Sequence, residues 1–341
     1  MKILHIVPGL DDPTCGIAVA AKMVARRQSK DGGVVECVGY RDWMKTQIGE
    51  ADEVWVHSMW TPGVMMAAWT ALRMGKKLVR MPHGCMDPVK VRHRWWKKMW
   101  VTPFEKWLFA RTTQIVATCT DEVDWVRKFV PGVMRIDLMS LGDGATDKPL
   151  EKIHNPLRLL FVGRLHPLKG VEYFIRALHE LNHEIHETHE KGSGVVLKII
   201  GKDEGEGEKL RQLVKEFDLD VGFCGVVSEE EKERAWKWCD VLVLPTLSEN
   251  FGLVVAEALE RGKRVITTDG APVWNPGDRG QELGVSVGVG DSEDSSTSTL
   301  NFDSNIRIGY GGRLLYLRGY RDGAAEDRIL LLNEAIKRIC K

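Results

Sequence analysis

Residues 157–165 read LRLLFVGRL, and this stretch decides the fold. An apolar run broken only by Arg158 ends in glycine. That is the form of a strand buried on both faces, as in a parallel sheet, running into a tight loop. Residues 2–10, KILHIVPGL, repeat the form, so one pattern starts twice. Downstream, strands are expected at 195–200 (VVLKII), 221–226, 240–245 (DVLVLP) and 264–268 (RVITT). Upstream they are expected at 34–38, 53–57 (EVWVH), 78–81, 114–118 and 136–140. Helical patterns separate many of them, including 16–29, 63–74 and 121–130; the last has Thr120 as its expected N-cap and stops at Pro131-Gly132. Strands alternating with helices give βαβ units and the α/β class.

The restart follows a polar stretch, 143–156 (DGATDKPLEKIHNP). The reading is two doubly wound, Rossmann-like domains, 1–148 and 149–325, joined near 145–156. A closing amphipathic helix is expected at 326–339 within a tail of 326–341. The length of 341 residues suits two domains at roughly 150 residues each. Residues 290–305 (GDSEDSSTSTLNFDSN) are polar and low in complexity, and read as a loop. Ligands of such sheets sit at the carboxyl ends of the strands, and two facing domains put the natural site in the cleft between them.

Composition excludes several classes. Lys plus Arg and Asp plus Glu both number 48, which argues against a general nucleic-acid binder. No apolar run approaches the ~18 residues of a membrane span, and the N-terminal run has no signal-peptide pattern. The seven cysteines are scattered without a CxxC, which favours reduced thiols in a cytoplasmic protein over a disulfide frame or a zinc site. Residues 1–150 hold 22 Lys/Arg and 16 Asp/Glu, a net of +6, and nine of the twelve tryptophans lie before residue 126.

The richest chemistry lies at 244–261, LPTLSENFGLVVAEALER. A strand ends at Pro245, a short loop follows, and a helix starts near Gly252. A helix N-terminus suits a phosphate, and glycine there allows close backbone approach. Glu249 and Glu257 bracket the turn; carboxylates beside a diphosphate more readily accept hydrogen bonds from sugar hydroxyls than hold phosphate. An ordinary capped helix fits the same spacing. Arg164 and Lys169 follow the 157–162 strand beside two glycines, and could neutralise a diphosphate or be two solvated surface charges. His83 stands at the carboxyl end of strand 78–81, where a lone histidine is as readily structural.

The segment SENFGLVVAE resembles the E-x7-E signature of retaining glycosyltransferases of the GT-B fold, glycosyltransferase family 4. GRLHPLKG at 163–170, GKDEGEGEKL at 201–210, VGFCGVVSEEE at 221–231 and MPHGCMDP at 81–88 are similar to that family's further loops, in order, over roughly residues 1–275. The MPHGCMDP loop is of a kind common in bacterial polysaccharide members. The resemblance implies a transferase that moves a sugar from a nucleotide-sugar donor to a saccharide or lipid-linked saccharide acceptor, with retention of configuration. It implies Arg164, Lys169 and the backbone of Asn250, Phe251 and Gly252 at the diphosphate. Glu257 would be at the ribose, with Glu249 and His83 at the transferred sugar. Gly16 would be near donor phosphate or acceptor, although Cys15-Gly16 stands where a glycine pair is common. Asp87 would orient its loop or meet the acceptor. At 270–274, GAPVW replaces the family's usual G-V-P-E-style loop.

Asp218-Leu219-Asp220 matches a metal-binding D-x-D, but it lies at a helix end before a strand, and no other cluster has ligand spacing; no cofactor and no essential metal are expected. The segment 90–111 (KVRHRWWKKMWVTPFEKWLFAR) has seven basic residues, one acid and six aromatics. It fits an amphipathic core helix, or a helix that meets an anionic membrane surface from the cytoplasmic side. A sugar-nucleotide epimerase or a non-catalytic sugar-nucleotide-binding protein would share the fold. No GxGxxG follows either opening strand, which disfavours a nicotinamide oxidoreductase.

Overall fold

The structure is a computed structural model that describes residues 1–12, 14–92, 95–133, 135–142, 146–187, 194–276, 305–310 and 312–340. The chain divides into two compact units, Met1–Gly142 and Asp143–Lys341.

The first unit runs β1 (Lys2–Val7), α1 (Gly16–Lys30), β2 (Val34–Gly39), α2 (Lys45–Glu50), β3 (Glu53–His57), α3 (Pro62–Arg73), β4 (Lys77–Met81), α4 (Pro88–Arg92), α5 (Trp95–Ala110), β5 (Gln114–Ala117), α6 (Thr120–Phe129) and β6 (Ile136–Leu138). Its six strands lie in the order β2-β1-β3-β4-β5-β6, all parallel. The order reverses between β1 and β3, which opens a crevice at their carboxyl ends. Buried α1 residues are small, Ala18, Ala20, Ala21 and Ala25 beside Val24, so the helix can lie close on the sheet. Cys119, not Thr120, is the N-cap of α6, with no side-chain bond; the helix starts one residue early, and Asp121 and Glu122 in its first turn complement the dipole instead.

The second unit runs β7 (Leu157–Val162), α7 (Val171–Glu187), β8 (Val195–Ile200), α8 (Gly207–Glu216), β9 (Val221–Gly225), α9 (Glu229–Trp238), β10 (Val241–Leu244), α10 (Leu253–Glu260), β11 (Arg264–Thr268), β12 (Ile306–Gly309), β13 (Leu314–Leu317) and α11 (Ala325–Cys340). The order is β12-β13-β11-β10-β7-β8-β9. Among the described strands only β12 runs antiparallel, against β13. The switch point falls between β7 and β10. The β12–β13 pair was not legible in the sequence. The loop expected at 290–305 falls, up to residue 304, outside the described residues. Ser228 caps α9 through a capping box with Glu231, which the SEEE run encodes. The closing helix α11 is tied to α7 by Arg328, whose Nη1 donates to the Tyr173 hydroxyl at 2.8 Å.

Candidate active site

In the second unit, the loops after β7 and β10 meet at the switch point. Residues Pro167–Lys169 form a 3-10 turn, capped by His166 Nδ1, which accepts from the Leu168 amide at 3.1 Å. Gly170 follows at φ 65°; a Cβ there would stand 2.0 Å from the Pro245 carbonyl oxygen. Only glycine lets this loop press on the end of β10. The Leu168 carbonyl then accepts from the Leu247 amide at 2.8 Å and the Thr246 hydroxyl at 3.1 Å. This stitching brings Lys169 into an ion pair with Glu249, their side chains 12% and 21% exposed.

Glu249 also accepts from the Asn250 amide at 3.2 Å, and its own amide donates to the Gly270 carbonyl at 2.7 Å. The Trp274 indole N–H donates to the Phe251 carbonyl, and the two rings meet edge to face at 5.5 Å. Trp274 is fully buried, so the tryptophan of GAPVW forms the floor of the Glu249–Gly252 loop. Gly252 is left-handed, φ 69° and ψ 57°, and a Cβ there would meet the indole nitrogen at 3.2 Å. The first N–H groups of α10, directly after it, lack helical acceptors, as at any helix start. Lys169, Glu249, Asn250, Phe251 and Gly252 therefore share one place.

Arg164 and Glu257 have partners that sequence reasoning missed. Arg164 reaches Glu204, in the loop after β8, at 2.8 Å, and is half exposed. Glu257 lies 2.8 Å from Lys232 of α9. Both signals were obscure because Glu204 and Lys232 sit in runs of charge (DEGEGEK, SEEEKER) where no single residue stands out.

In the first unit, His83 follows β4 in a left-handed conformation, φ 56°, and is 6% exposed. Glu122, buried, holds the loop: its carboxylate accepts from the Gly84 amide, and from the Thr118 amide and hydroxyl at 2.8 and 3.1 Å. Burial pushes the Glu122 carboxyl up, against those hydrogen bonds. Asp87, almost fully buried, accepts from the Val89 amide at 2.9 Å, and its carbonyl accepts from Val91, so it caps the start of α4.

His83 is not alone. Its Nε2 lies 2.8 Å from His57 Nδ1; His57 Nε2 lies 2.9 Å from His5 Nδ1; and His5 Nε2 lies 2.7 Å from the Gln28 side-chain oxygen. Successive rings stack with centroids 5.1 Å apart. Burial holds His5 down to about 4 and His83 to about 3, and pushes His57 well below its ordinary value. In the sequence His5 and His57 stand out only as strand residues, because an apolar neighbourhood hides a polar row.

The neighbouring loop after β3 is strained, with Ser58 at φ 72° and Trp60 at φ 69°. Arg80 and Glu105, both fully buried and 3.2 Å apart, hold it: Arg80 donates to the Ser58 carbonyl at 3.1 Å, and Glu105 accepts from the Trp60 amide at 2.8 Å. Such strain persists only where surroundings over-determine it, and it clusters at functional loops. Gly16 opens α1; a Cβ there would meet nothing within 4 Å, so contacts within this unit do not require glycine. The Cys15 side chain turns toward Gly9 and the Pro8 carbonyl.

Helix α5 buries Glu105, Leu108 and Phe109 and leaves Trp95, Trp96, Met99, Trp100 and Trp107 exposed, Trp100 by 80%. Among the described residues no helix is long and apolar enough to cross a membrane. Asp218 and Asp220 lie between α8 and β9, at the amino edge of the parallel strands and so at the edge opposite the Lys169–Glu249 loops.

Comparison with known proteins identifies the two units. Residues 16–137 match the family model for Glycosyltransferase Family 4, and residues 156–300 match that for Glycosyl transferases group 1. A D-inositol 3-phosphate glycosyltransferase of Nocardioides sp. is 38% identical over 123 residues, 32% of this chain and 26% of its own. One from Corynebacterium jeikeium is 30% identical over 198 residues, 54% of this chain and 45% of its own. The chain thus spans less than half the length of these curated relatives. Among solved structures, the Anabaena protein HepE in complex with UDP and glucose superposes with a TM-score of 0.64 at 16% identity, covering 99% of this chain and 90% of that one. The lipopolysaccharide outer core galactosyltransferase WaaB superposes at 0.56, with 16% identity, covering 100% of this chain and 92% of that one. Residues 16–137 thus belong with the Glycosyltransferase Family 4 domain and residues 156–300 with the Glycosyl transferases group 1 domain, and the Rossmann-like parallel sheets of both units are those of the GT-B fold.

Proposed function

We propose that this chain transfers a sugar from a nucleotide-sugar donor to a hydroxyl of a saccharide or lipid-linked saccharide, with retention of configuration. The observation that carries the reading is the Lys169–Glu249 pair at the β7/β10 switch point, directly before the start of α10. A cation, a carboxylate and a helix N-terminus in one place suit a phosphate joined to a polyol. That the Anabaena protein is known in complexes with UDP and glucose, and with UDP-glucose, agrees with a donor of this class.

In this reading Lys169 and the backbone of 250–252 bind the diphosphate, with Arg164 at its edge. Glu257 accepts from the ribose hydroxyls, and Glu249 from the transferred sugar. As the glycosidic bond breaks, negative charge grows on the leaving diphosphate, where Lys169 and the helix N-terminus stabilise it. The fixed charges take the place of a metal, and no metal is needed. His83 and the acceptor belong to the first unit. The donor phosphate oxygen takes the acceptor proton, so the new bond forms on the face the leaving group vacates. The exposed tryptophans of α5, flanked by Lys97 and Arg111, suit an anionic membrane surface that presents a lipid-linked acceptor.

The test is a panel of nucleotide sugars and free nucleoside diphosphates scored by thermal shift, followed by transfer assays with the best donor. A donor that raises the melting temperature and yields product only with an acceptor supports the reading. Turnover of donor without acceptor would point to an epimerase, and binding without turnover to a binding protein.

A further inference from the structure

The row Gln28–His5–His57–His83 runs from α1 across β1 and β3 to the loop after β4, at the switch point of the first sheet. A neutral imidazole carries one N–H and one lone pair, so it must donate on one side and accept on the other. Three neutral rings in series can point only all one way or all the other, because each mismatch would set two lone pairs, or two N–H groups, against each other. Burial keeps all three rings neutral near pH 7. The direction is therefore set at the ends. At the inner end, His83 Nδ1 has no partner among the described residues. At the outer end, Gln28 turns its carbonyl oxygen toward His5 Nε2.

We propose that Gln28 is a positioning residue that sets the tautomer of His83 through His5 and His57. Its carbonyl accepts from His5 Nε2–H. His5 Nδ1 then accepts from His57 Nε2–H, and His57 Nδ1 from His83 Nε2–H. Every ring carries its proton on Nε2, and His83 Nδ1 is left as a bare lone pair. His83 thereby meets its ligand as a hydrogen-bond acceptor, suited to a hydroxyl and unsuited to an unprotonated phosphate oxygen. The ligand half of this statement rests on the proposed transferase reading; the tautomer half does not. Gln28 is partly exposed on α1, whereas His5, His57 and His83 are buried, so of the row it is the member whose replacement disturbs the core least.

The test is a two-bond proton–nitrogen correlation spectrum of the full chain with labelled histidine, near pH 7.5, without ligand. Protonated and bare ring nitrogens resonate far apart, so the tautomer is read directly. Wild type is expected to show Nε2–H on His5, His57 and His83. Gln28→Lys replaces the acceptor with a donor-only ammonium and is expected to reverse all three rings to Nδ1–H. Gln28→Met removes the end group and is expected to populate both directions. Wild-type His83 protonated on Nδ1, or both variants retaining Nε2–H alone, would overturn the proposal. In transfer assays Gln28→Lys is expected to lower kcat at least several-fold with the donor KM near wild type. Reversed rings with unchanged kcat and KM would overturn the role of the tautomer at the ligand. No donor binding in the thermal-shift panel, with the expected tautomers intact, would instead overturn the transferase reading.

Discussion

The ammonium of Lys169 and the carboxylate of Glu249, 80 residues apart in sequence, form one ion pair where the first and fourth strands of the second sheet diverge. Each charge is largely withdrawn from water, and each compensates the other while no ligand is bound. In the proposed reading, arrival of a diphosphate would give Lys169 a second anionic partner and let Glu249 turn to a hydroxyl. One pair would then report on two parts of the donor.

That division separates the two carboxylates of the E-x7-E stretch. Glu249→Gln is expected to lower kcat and to leave nucleoside-diphosphate affinity unchanged or tighter, because Lys169 loses its competing partner. Glu257→Gln is expected mainly to raise the donor KM, since the ribose does not react and uniform binding acts on KM. Steady-state kinetics on both variants, with a parallel nucleotide titration, decides it. Loss of nucleotide binding in Glu249→Gln and of turnover alone in Glu257→Gln would reverse the roles.

The histidine row makes stability pH-dependent with a definite sign. His5 at about 4, His83 at about 3, and His57 well below its ordinary value all titrate lower folded than the ~6.5 of an unfolded chain. Between these values the unfolded chain binds more protons, so stability is complete above pH ~6.5 and falls as pH drops from there toward 4. Each ring contributes a slope on the order of 1 kcal/mol per pH unit. Urea unfolding at pH 7, 6 and 5 should show this fall, and His5→Gln should flatten it by about one proton. Equal slopes in the two proteins would contradict the assignment.

The exposed face of α5 should bind vesicles that contain anionic lipid and release them as salt rises. Lys97→Glu with Lys98→Glu is expected to weaken co-sedimentation, at about 1 kcal/mol for each basic residue near the surface. Binding that ignores salt, lipid charge and both substitutions would contradict an electrostatic contact.

Transfer should persist in excess EDTA if, as proposed, Lys169 and the start of α10 supply the charge that a metal would. Activity lost to EDTA and restored by magnesium or manganese would contradict this.

The sheets were legible because buried parallel strands are nearly unbroken apolar runs, as in LRLLFVGRL and DVLVLP. Lys169, directly before Gly170, and Glu249, three residues before Gly252, were legible as separate candidates but not as partners; their meeting depends on Gly170 passing the Pro245 carbonyl. The histidine row was illegible for a related reason. Its members lie 26 and 52 residues apart, and only the strand order β1-β3-β4 makes them neighbours. Helix α5 was ambiguous because a tryptophan-rich amphipathic sequence fits a core as well as a surface; burial of Glu105 with Arg80, and exposure of Trp100, depend on the surrounding packing.

Calorimetric titration of the nucleoside diphosphate chosen by the panel into wild type, Lys169→Ala and Arg164→Ala tests the donor site most directly. Lys169→Ala removes a charge-assisted contact worth about 1.5–3 kcal/mol and takes the ammonium away from Glu249 beside the phosphates, so Kd should rise roughly ten- to a hundredfold. Arg164→Ala, half exposed and tied to Glu204, should raise it less. Wild-type affinity in Lys169→Ala would contradict the account and put the donor site elsewhere.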